Sequence, residues 1–125
     1  MIVGIGTDIV HISRISASLE RLGERFAKRI LTDQELQQWR QHARPDNFLA
    51  KRFAIKEAAA KALGTGLGQG VSWQHISLDH NELGAPLLLM TNAALERARQ
   101  LGVSRSLVTL SDEVDTVVAF VVLEQ

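Results

Sequence analysis

A helix-forming stretch that ends in a run of glycines occupies the middle of the chain, at residues 48–70. Alanine, leucine and lysine dominate the part before the glycines, and all three are strong helix formers. Asp46 or Asn47, directly after Pro45, is a suitable N-cap. Gly64 predicts the end of the helix, because glycines recur at alternate positions after it and would destabilise a helix interior. A long helix followed by a glycine loop is therefore the element that the rest of the fold must accommodate.

Glu57 and Lys61 lie four residues apart on this helix, so their side chains are neighbours on its surface. They border a side of small residues (Ala50, Ala54 and Ala58), which another backbone or a ligand can approach closely. One interpretation is an ordinary helical ion pair, which contributes about 0.3–0.5 kcal/mol. The other is a metal-binding carboxylate beside a phosphate-binding lysine. Helical spacing alone is compatible with both.

The glycine loop, which begins Gly64-Thr65-Gly66, also has two interpretations. It is not a Walker-type phosphate loop, because it follows a helix and lacks the Gly-Lys-Ser/Thr ending. The carboxyl end of a helix repels anions. Phosphate binding would therefore require inward-turned backbone N–H groups and cations nearby, for which the sequence offers Lys51, Arg52, Lys56 and Lys61. The alternative is a flexible C-cap loop.

The composition is that of an ordinary soluble globular protein and excludes several kinds of site. Apolar residues make up 46% of the chain, charged residues 22%, and the formal net charge is zero. There is no cysteine, which excludes disulfides, thiolate metal sites and cysteine nucleophiles. No basic segment of a signal peptide opens the chain, and no apolar run approaches the roughly 20 residues of a membrane span. We predict one cytoplasmic domain over residues 1–125 with no membrane span.

The chain opens on a short apolar run at residues 2–5 that contains and precedes glycines. This pattern predicts a buried strand, ended by Thr7 and Asp8, whose backbone packs closely against another element. A carboxylate at the exit of a buried strand is well placed for chemistry, because the strand fixes its position while its tip reaches a cleft. Asp8 can equally form an Asx turn or cap the following helix.

A basic surface is predicted on the next helix, for which Ser13 is a suitable cap. Its apolar residues recur at helical spacing: Ile12, Ile15, Leu19 and Leu22. Its basic residues, together with those beyond Gly23, are Arg14, Arg21, Arg25, Lys28 and Arg29. Such a surface is either a solvated face or a docking surface for an acidic partner helix. No aromatic residues are interleaved with the charges, so single-stranded nucleic acid is a poor fit.

The remaining segments predict two further helices and four strands. A capping box at residues 32–35 opens a helix, and residues 71–79 and 86–90 predict a hairpin. A helix at 92–101 and strands at 106–110 and 116–123 close the chain, and the last strand is predicted to be central. Because the hairpins lie late in the chain, an α+β fold is favoured, with a mostly antiparallel sheet of about five strands packed on helices.

Two motifs together resemble those of a known family. One is the opening strand with Gly-Thr-Asp at residues 6–8; the other is Lys-Arg-Phe-Ala-x-Lys-Glu-Ala-x-x-Lys-Ala at residues 51–62, followed by Gly-x-Gly. They are similar to the holo-acyl-carrier-protein synthases, the short-chain branch of the 4′-phosphopantetheinyl transferases. The resemblance extends to the Gly-x-Pro at Gly84 and Pro86 and to the closing Val-x-Leu-x-Asp-Glu segment. It covers nearly the whole chain and implies the fold of that family.

The resemblance implies a reaction and a set of site residues. The family transfers the 4′-phosphopantetheine arm of coenzyme A to a serine of acyl carrier protein, with Mg²⁺, in fatty acid biosynthesis. By the family pattern, Asp8 and Glu57 are the magnesium ligands, and with Lys61 they form the catalytic set. The implied coenzyme A contacts are Arg52, Lys56, Lys61, Gly64, Thr65, Gly66 and Pro86. The alternative is a relative that binds coenzyme A or the carrier without catalysis.

The resemblance also implies partners and contains one departure. The family docks the acidic recognition helix of its carrier on the first helix, which makes Arg14 the matching contact here and Arg21 and Arg25 further candidates. Family members form homotrimers with active sites between subunits. Many relatives have a histidine where this chain has Leu107, so a contact to coenzyme A or a proton relay is missing or supplied from elsewhere.

Overall fold

Five helices and five strands make up the fold in the computed structural model, which describes residues 1–125. The helices are α1 (Ile12–Leu22), α2 (Glu24–Ile30), α3 (Asp33–Gln41), α4 (Pro45–Ala62) and α5 (Asn92–Gln100). The strands are β1 (Ile2–His11), β2 (Ile76–His80), β3 (Pro86–Met90), β4 (Arg105–Asp112) and β5 (Thr116–Glu124). The order follows the prediction, except that Gly23, at a φ of 66°, divides the first predicted helix into α1 and α2.

The strands form two antiparallel sheets, in the orders β1-β5-β4 and β2-β3. Strand β5 is central in the larger sheet, as its β-branched composition predicts. The α+β class and the antiparallel pairing are confirmed. The strands do not form one sheet of five, however, because the β2-β3 hairpin pairs only with itself and packs beside β4 without joining its ladder.

Strand β1 is longer and more exposed than the sequence predicts. The prediction of a buried strand ending at Asp8 is wrong, since β1 continues to His11 along its partner β5. Because β1 is an edge strand that helices cover on one face only, Ile5 and Ile9 on its other face are 61% and 64% exposed. Asp8 therefore lies within the strand, on the half-buried face next to the helices.

The backbone of β1 packs directly against the backbone of α4, as the glycines of this strand predict. A Cβ added at Gly6 would lie 2.0 Å from the carbonyl oxygen of Ala58, and one at Gly4 would lie 2.1 Å from that of Ala62. No side chain fits at either position, so only glycine permits this approach. The contact fixes where β1 lies along the α4 axis, and hence the position of every residue that follows on the strand.

The amino end of α4 differs from the prediction, because neither Asp46 nor Asn47 is its N-cap. The helix begins at Pro45, and Arg44 occupies the N-cap position without a side-chain hydrogen bond. Proline suits the first helical position, where its missing N–H would have no partner. Asp46 instead accepts a hydrogen bond of 2.8 Å from the Ser16 hydroxyl, which ties α4 to α1.

Two further local predictions, one of a helix start and one of a strand, have different outcomes. The capping box at Thr32 is confirmed, with its reciprocal bonds to Glu35 both present. The predicted strand at residues 71–79 is too long, since β2 begins only at Ile76. Ser72 caps a short 3₁₀ turn before the strand. The alternating apolar residues of this segment predicted a strand where that turn lies.

A cluster of 24 buried apolar residues forms the core between α4, the larger sheet and the remaining helices. Helix α4 is its centre, and most of its residues are buried. This burial on several sides explains why its sequence lacks a single apolar face. None of the five helices combines the length and the apolar character that a membrane-crossing helix needs.

Candidate active site

Asp8 and Glu57 line the same cleft, although they are far apart in the sequence. The close packing of β1 on α4 brings these side chains together, because Asp8 lies on the covered face of β1 and α4 carries Glu57 beside it. The cleft encloses about 420 Å³, and Phe26 and Phe53 contribute to its apolar wall. Arg14 of α1 also lines it, so one basic residue of the predicted docking helix belongs to the same space.

Lys61 pairs with Asp8 rather than with Glu57. Its Nζ donates to Oδ1 of Asp8 and to the backbone carbonyl of Thr7, both at 3.0 Å. The interpretation of Glu57 and Lys61 as an ordinary helical ion pair is therefore wrong in this structure. The Lys61 side chain is 51% exposed, so its ammonium group remains accessible to an anion that enters the cleft.

The carboxyl group of Glu57 has a raised pKa, first because it is partly removed from water and second because Asp8 is close. The indole N–H of Trp73 and the charge of Lys61 oppose these effects and lower the pKa. A cation beside these two carboxylates would offset the cost of the Glu57 charge. The electrostatics of the cleft thus favour a positive ion beside Asp8 and Glu57.

The donor set of the cleft fits a hard cation such as Mg²⁺. Carboxylate oxygens are hard ligands, and Mg²⁺ is usually held by one or two carboxylates together with substrate phosphates and waters. Nowhere in the chain do three or more His, Cys, Asp or Glu side chains gather into a complete metal site. Asp8 and Glu57 could therefore hold Mg²⁺ only as a shared site that a phosphate ligand completes.

Arg52 and Lys56 lie in a buried cluster with Glu35, which we call the Glu35 cluster. Lys56 Nζ donates to Oε1 of Glu35 at 2.6 Å and to the carbonyl of Ile30 at 2.8 Å. Arg52 Nη1 donates to Oε2 of Glu35 at 2.9 Å and to the carbonyl of Leu78 at 3.2 Å. The cluster joins α3, α4, β2 and the end of α2 through charged groups in the core.

The Glu35 cluster argues against Lys56 as a coenzyme A contact. Lys56 is 1% exposed, and its ammonium group is directed into the core, away from any ligand. Arg52 is 7% exposed and keeps one face on a surface groove, where its guanidinium also lies over the Phe48 ring at 4.6 Å. Sequence patterns could not predict that Lys56 and Arg52 pair with Glu35, because Glu35 is recognisable only as part of a capping box.

The glycine loop is built as a C-cap in this structure. The Gly64 N–H donates to the carbonyl of Lys61, and the Gly66 N–H donates to that of Ala60, both at 3.0 Å. Both glycines have positive φ values, 80° and 59°, which such a helix end requires. These N–H groups are engaged by α4, so any phosphate contact near the loop must come from other donors, such as the side chain of Lys61.

The other predicted coenzyme A contacts lie on separate parts of the surface. Pro86 and Arg52 line a groove of about 420 Å³ between α4, the hairpin and β4. Thr65 lines a smaller pocket with Arg97 of α5. A single chain therefore does not bring these residues to the cleft of Asp8 and Glu57.

The predicted docking residues are exposed and unpaired. Arg14 and Arg21 lie on α1 and Arg25 lies on α2, all at the surface. The ion pairs of the chain involve other residues, which leaves these three guanidinium groups free. The arrangement provides a basic face that continues from the cleft along α1.

Asp115 is a residue of this region that the sequence patterns missed. From the β4–β5 turn, its carboxylate accepts bonds from the Ser13 backbone N–H (2.8 Å) and hydroxyl (2.9 Å). Its carbonyl oxygen accepts from the Ile12 N–H at 2.8 Å. Ser13 is thus not the N-cap of α1: His11 holds that position without a capping bond, and Asp115 serves the helix end instead. A partner 102 residues away leaves no local signal.

Comparison with known proteins agrees with this geometry. The model of the 4′-phosphopantetheinyl transferase superfamily matches residues 4–120. A holo-[acyl-carrier-protein] synthase of Shewanella frigidimarina is 56% identical over 123 residues, covering 98% of each chain. The crystal structure of the holo-[acyl-carrier-protein] synthase of Neisseria meningitidis aligns over 100% of both chains, with a TM-score of 0.92 and 48% identity.

A third relative has a bound ligand. The holo-(acyl-carrier-protein) synthase of Bacillus anthracis, in complex with CoA (3′,5′-ADP), aligns over 98% of this chain and 96% of its own, with a TM-score of 0.80 and 35% identity. The family match covers most of the chain, and the relatives span its full length with the same fold. The chain belongs to the 4′-phosphopantetheinyl transferase superfamily and, within it, to the enzymes of the holo-[acyl-carrier-protein] synthase type.

Proposed function

We propose that this chain transfers the 4′-phosphopantetheine arm of coenzyme A to a serine of acyl carrier protein, with Mg²⁺, in the cytoplasm and for fatty acid biosynthesis. The observation that supports this most directly is the shared cleft of Asp8 and Glu57, with Lys61 and Arg14 beside it. The Bacillus anthracis relative binds CoA, and the names of the relatives state the carrier. The chain acts as one domain over residues 1–125 in this proposal.

The chemistry needs little from protein side chains beyond charge and position. The serine hydroxyl oxygen attacks the phosphorus that bears the pantetheine arm and its proton passes to water, while the bond to the second phosphate breaks and adenosine 3′,5′-bisphosphate leaves. Such phosphoryl transfers are accelerated by holding the nucleophile in line and neutralising the phosphate oxygens. Bound Mg²⁺ supplies neutralising charge. Asp8 and Glu57 hold the metal, and Lys61 both orients Asp8 and offers charge to the leaving phosphate.

The outer face of the larger sheet supports a homotrimer. Residues directly opposite one another in the register form rows on this face, such as Ile5–Val122–Leu107. Ile5, Leu107 and Phe120 are 61%, 42% and 42% exposed. A contiguous apolar face of this kind is typical of a protein interface, and we propose that further copies of the chain cover it. Leu107 then packs between subunits.

Assembly also accounts for the separation of the predicted contacts. In the trimer that we propose, the groove of Arg52 and Pro86 on one subunit meets the cleft of Asp8 and Glu57 on the next. Light scattering of the purified chain is expected to give a mass three times the 13.8 kDa of the single chain. A monomer at micromolar concentration, active in transfer, would contradict the shared site.

Mass spectrometry of the carrier tests the proposed reaction. Apo-acyl carrier protein incubated with the chain, coenzyme A and Mg²⁺ is expected to gain the mass of the phosphopantetheine arm. Omission of Mg²⁺ or of coenzyme A is expected to leave the carrier unchanged. A relative that only binds coenzyme A would show a thermal shift with the ligand, because a ligand of the folded state stabilises it, but it would leave the carrier mass unaltered.

A further inference from the structure

Trp73 contains an unpaired polar atom in the interior. It lies in the 3₁₀ turn Trp73–His75 between the glycine loop and β2. Its indole Nε1–H is the one buried side-chain nitrogen or oxygen of the chain without a hydrogen-bond partner. Buried donors are nearly always paired, and an unpaired one in a native protein calls for an explanation, such as a role at a functional site.

The position of the indole connects it to Glu57. The Trp73 ring stacks on Phe53, with centroids 6.3 Å apart and planes 29° from parallel. Phe53 precedes Glu57 by about one helical turn on α4, and both line the cleft. The Trp73 N–H lowers the pKa of the Glu57 carboxyl, yet it completes no hydrogen bond in this structure. The indole therefore lies beside the part of α4 that carries Glu57, with a donor that has no partner in this structure.

The two lysines nearest to Glu57 along α4 are already engaged. Lys61 is bonded to Asp8 and to the Thr7 carbonyl, and Lys56 is bonded to Glu35. An indole N–H can only donate, and an ionised carboxylate can only accept. Trp73 and Glu57 are thus complementary, and each lacks the partner that the other supplies.

We propose that Trp73 is a positioning residue for Glu57, whose indole N–H donates to one carboxylate oxygen and leaves the other free for the metal. The inference rests on the proposed function, since it takes Glu57 as a magnesium ligand. Hydrogen bonds to the ligating groups of a metal site fix their orientation, and losing one typically lowers metal affinity 10- to 100-fold. The stacked Phe53 holds the indole in place.

The experiment compares two Trp→Phe variants for their binding of Mg²⁺. Trp73→Phe removes the N–H but keeps a ring for stacking on Phe53. Trp39→Phe is the matched control, because its indole donates instead to the Pro45 carbonyl at 3.1 Å, outside the cleft. Each chain is saturated with coenzyme A and titrated with MgCl₂ in a calorimeter. We expect Trp73→Phe to weaken Mg²⁺ binding about tenfold and Trp39→Phe to leave it unchanged.

Glu57→Gln, titrated in the same way, separates the two levels of the proposal. If Glu57→Gln weakens Mg²⁺ binding but Trp73→Phe binds like the parent chain, the role of Trp73 is refuted and the metal site stands. If both variants bind like the parent, Glu57 is not a magnesium ligand and both proposals fail. Equal weakening by Trp73→Phe and Trp39→Phe also refutes the inference, because the effect would not depend on the N–H near Glu57.

A spectroscopic measurement covers the case in which Trp73→Phe does not fold. Trp73 is the single indole in the Trp39→Phe chain, since the protein has two tryptophans. Its fluorescence is expected to change when MgCl₂ is added to the complex with coenzyme A, because its N–H then bonds to Glu57. Fluorescence that stays constant through Mg²⁺ saturation would refute the inference without any change at Trp73 itself.

Discussion

Glu57→Gln is expected to slow phosphopantetheine transfer on the order of 10²–10³-fold, because metal assistance to a phosphoryl transfer is worth several kcal/mol and each 1.36 kcal/mol is tenfold in rate. Glutamine keeps the size of the side chain but removes the charge that we propose holds the metal beside Asp8. The measurement is the initial rate of mass gain on the carrier at saturating coenzyme A, with Mg²⁺ varied. Glu82→Gln, at an exposed turn residue outside the cleft, is the matched control.

The same variant is expected to be at least as stable as the parent chain. Burial and the neighbouring Asp8 raise the pKa of Glu57, so its ionised form is disfavoured in the folded state relative to the unfolded one. At neutral pH the charge therefore costs stability, and that cost is relieved as the pH falls through the raised pKa. Glutamine removes this cost at every pH, so thermal unfolding at pH 7 should occur no lower than in the parent. Near-normal turnover with unchanged Mg²⁺ dependence would remove Glu57 from the metal site.

Local patterns predicted those parts of the fold that depend on neighbours in sequence. The box at Thr32, the end of α4 at Gly64 and the hairpin around residues 81–85 each follow from a few adjacent residues. The glycines of β1 also predicted a close backbone contact, because no other residue tolerates one. The predicted end of β1 and the predicted start of β2 were wrong. Strand pairing sets the first and the capped 3₁₀ turn sets the second, and composition shows neither.

The site could be predicted only in part, because its contacts are between distant residues. Motif resemblance pointed to Asp8 and Glu57, and the structure brings them to one cleft through the packing of β1 on α4. The same resemblance assigned Lys56 to coenzyme A, although its partner is Glu35. That residue lies 21 positions away, and in the sequence it is recognisable only as part of a capping box. Trp73 and Asp115 carried no signal, since their partners are on other elements.

Glu35→Gln is expected to destabilise the fold by about 3–5 kcal/mol, the usual effect of removing one partner from a buried ion pair. Burial raises the pKa of Glu35, but the charge of Lys56 and the bonds from Lys56, Thr32 and Arg52 outweigh it, so the pKa is lowered overall. Glutamine can still complete the capping box, so the variant isolates the lost charge. Urea unfolding measures the change. Glu24→Gln, which breaks an exposed pair with Arg40, is the control and should change the stability far less, because surface ion pairs contribute little.

The pH dependence follows from the lowered pKa of Glu35. A carboxyl whose folded pKa lies below its unfolded value stabilises the fold above the unfolded value, and this stabilisation is lost as the pH falls through the folded one. The parent chain should therefore lose stability on acidification below about pH 4.5, the ordinary value for this group. Glu35→Gln should lack that part of the loss, so the two stability curves are expected to converge in acid.

A double variant separates charge from packing in the Glu35 cluster. Glu35→Gln leaves the buried Lys56 ammonium without its counter-ion, with only neutral acceptors such as the Ile30 carbonyl beside it. Replacing this lysine with methionine in the same chain removes one of the two buried positive charges that have lost Glu35, and buried ion pairs replaced by apolar groups often recover stability. We expect Glu35→Gln with Lys56→Met to unfold at a higher urea concentration than Glu35→Gln alone. If the second change lowers stability further, the cluster stabilises the fold through packing and not through the pairing of its charges.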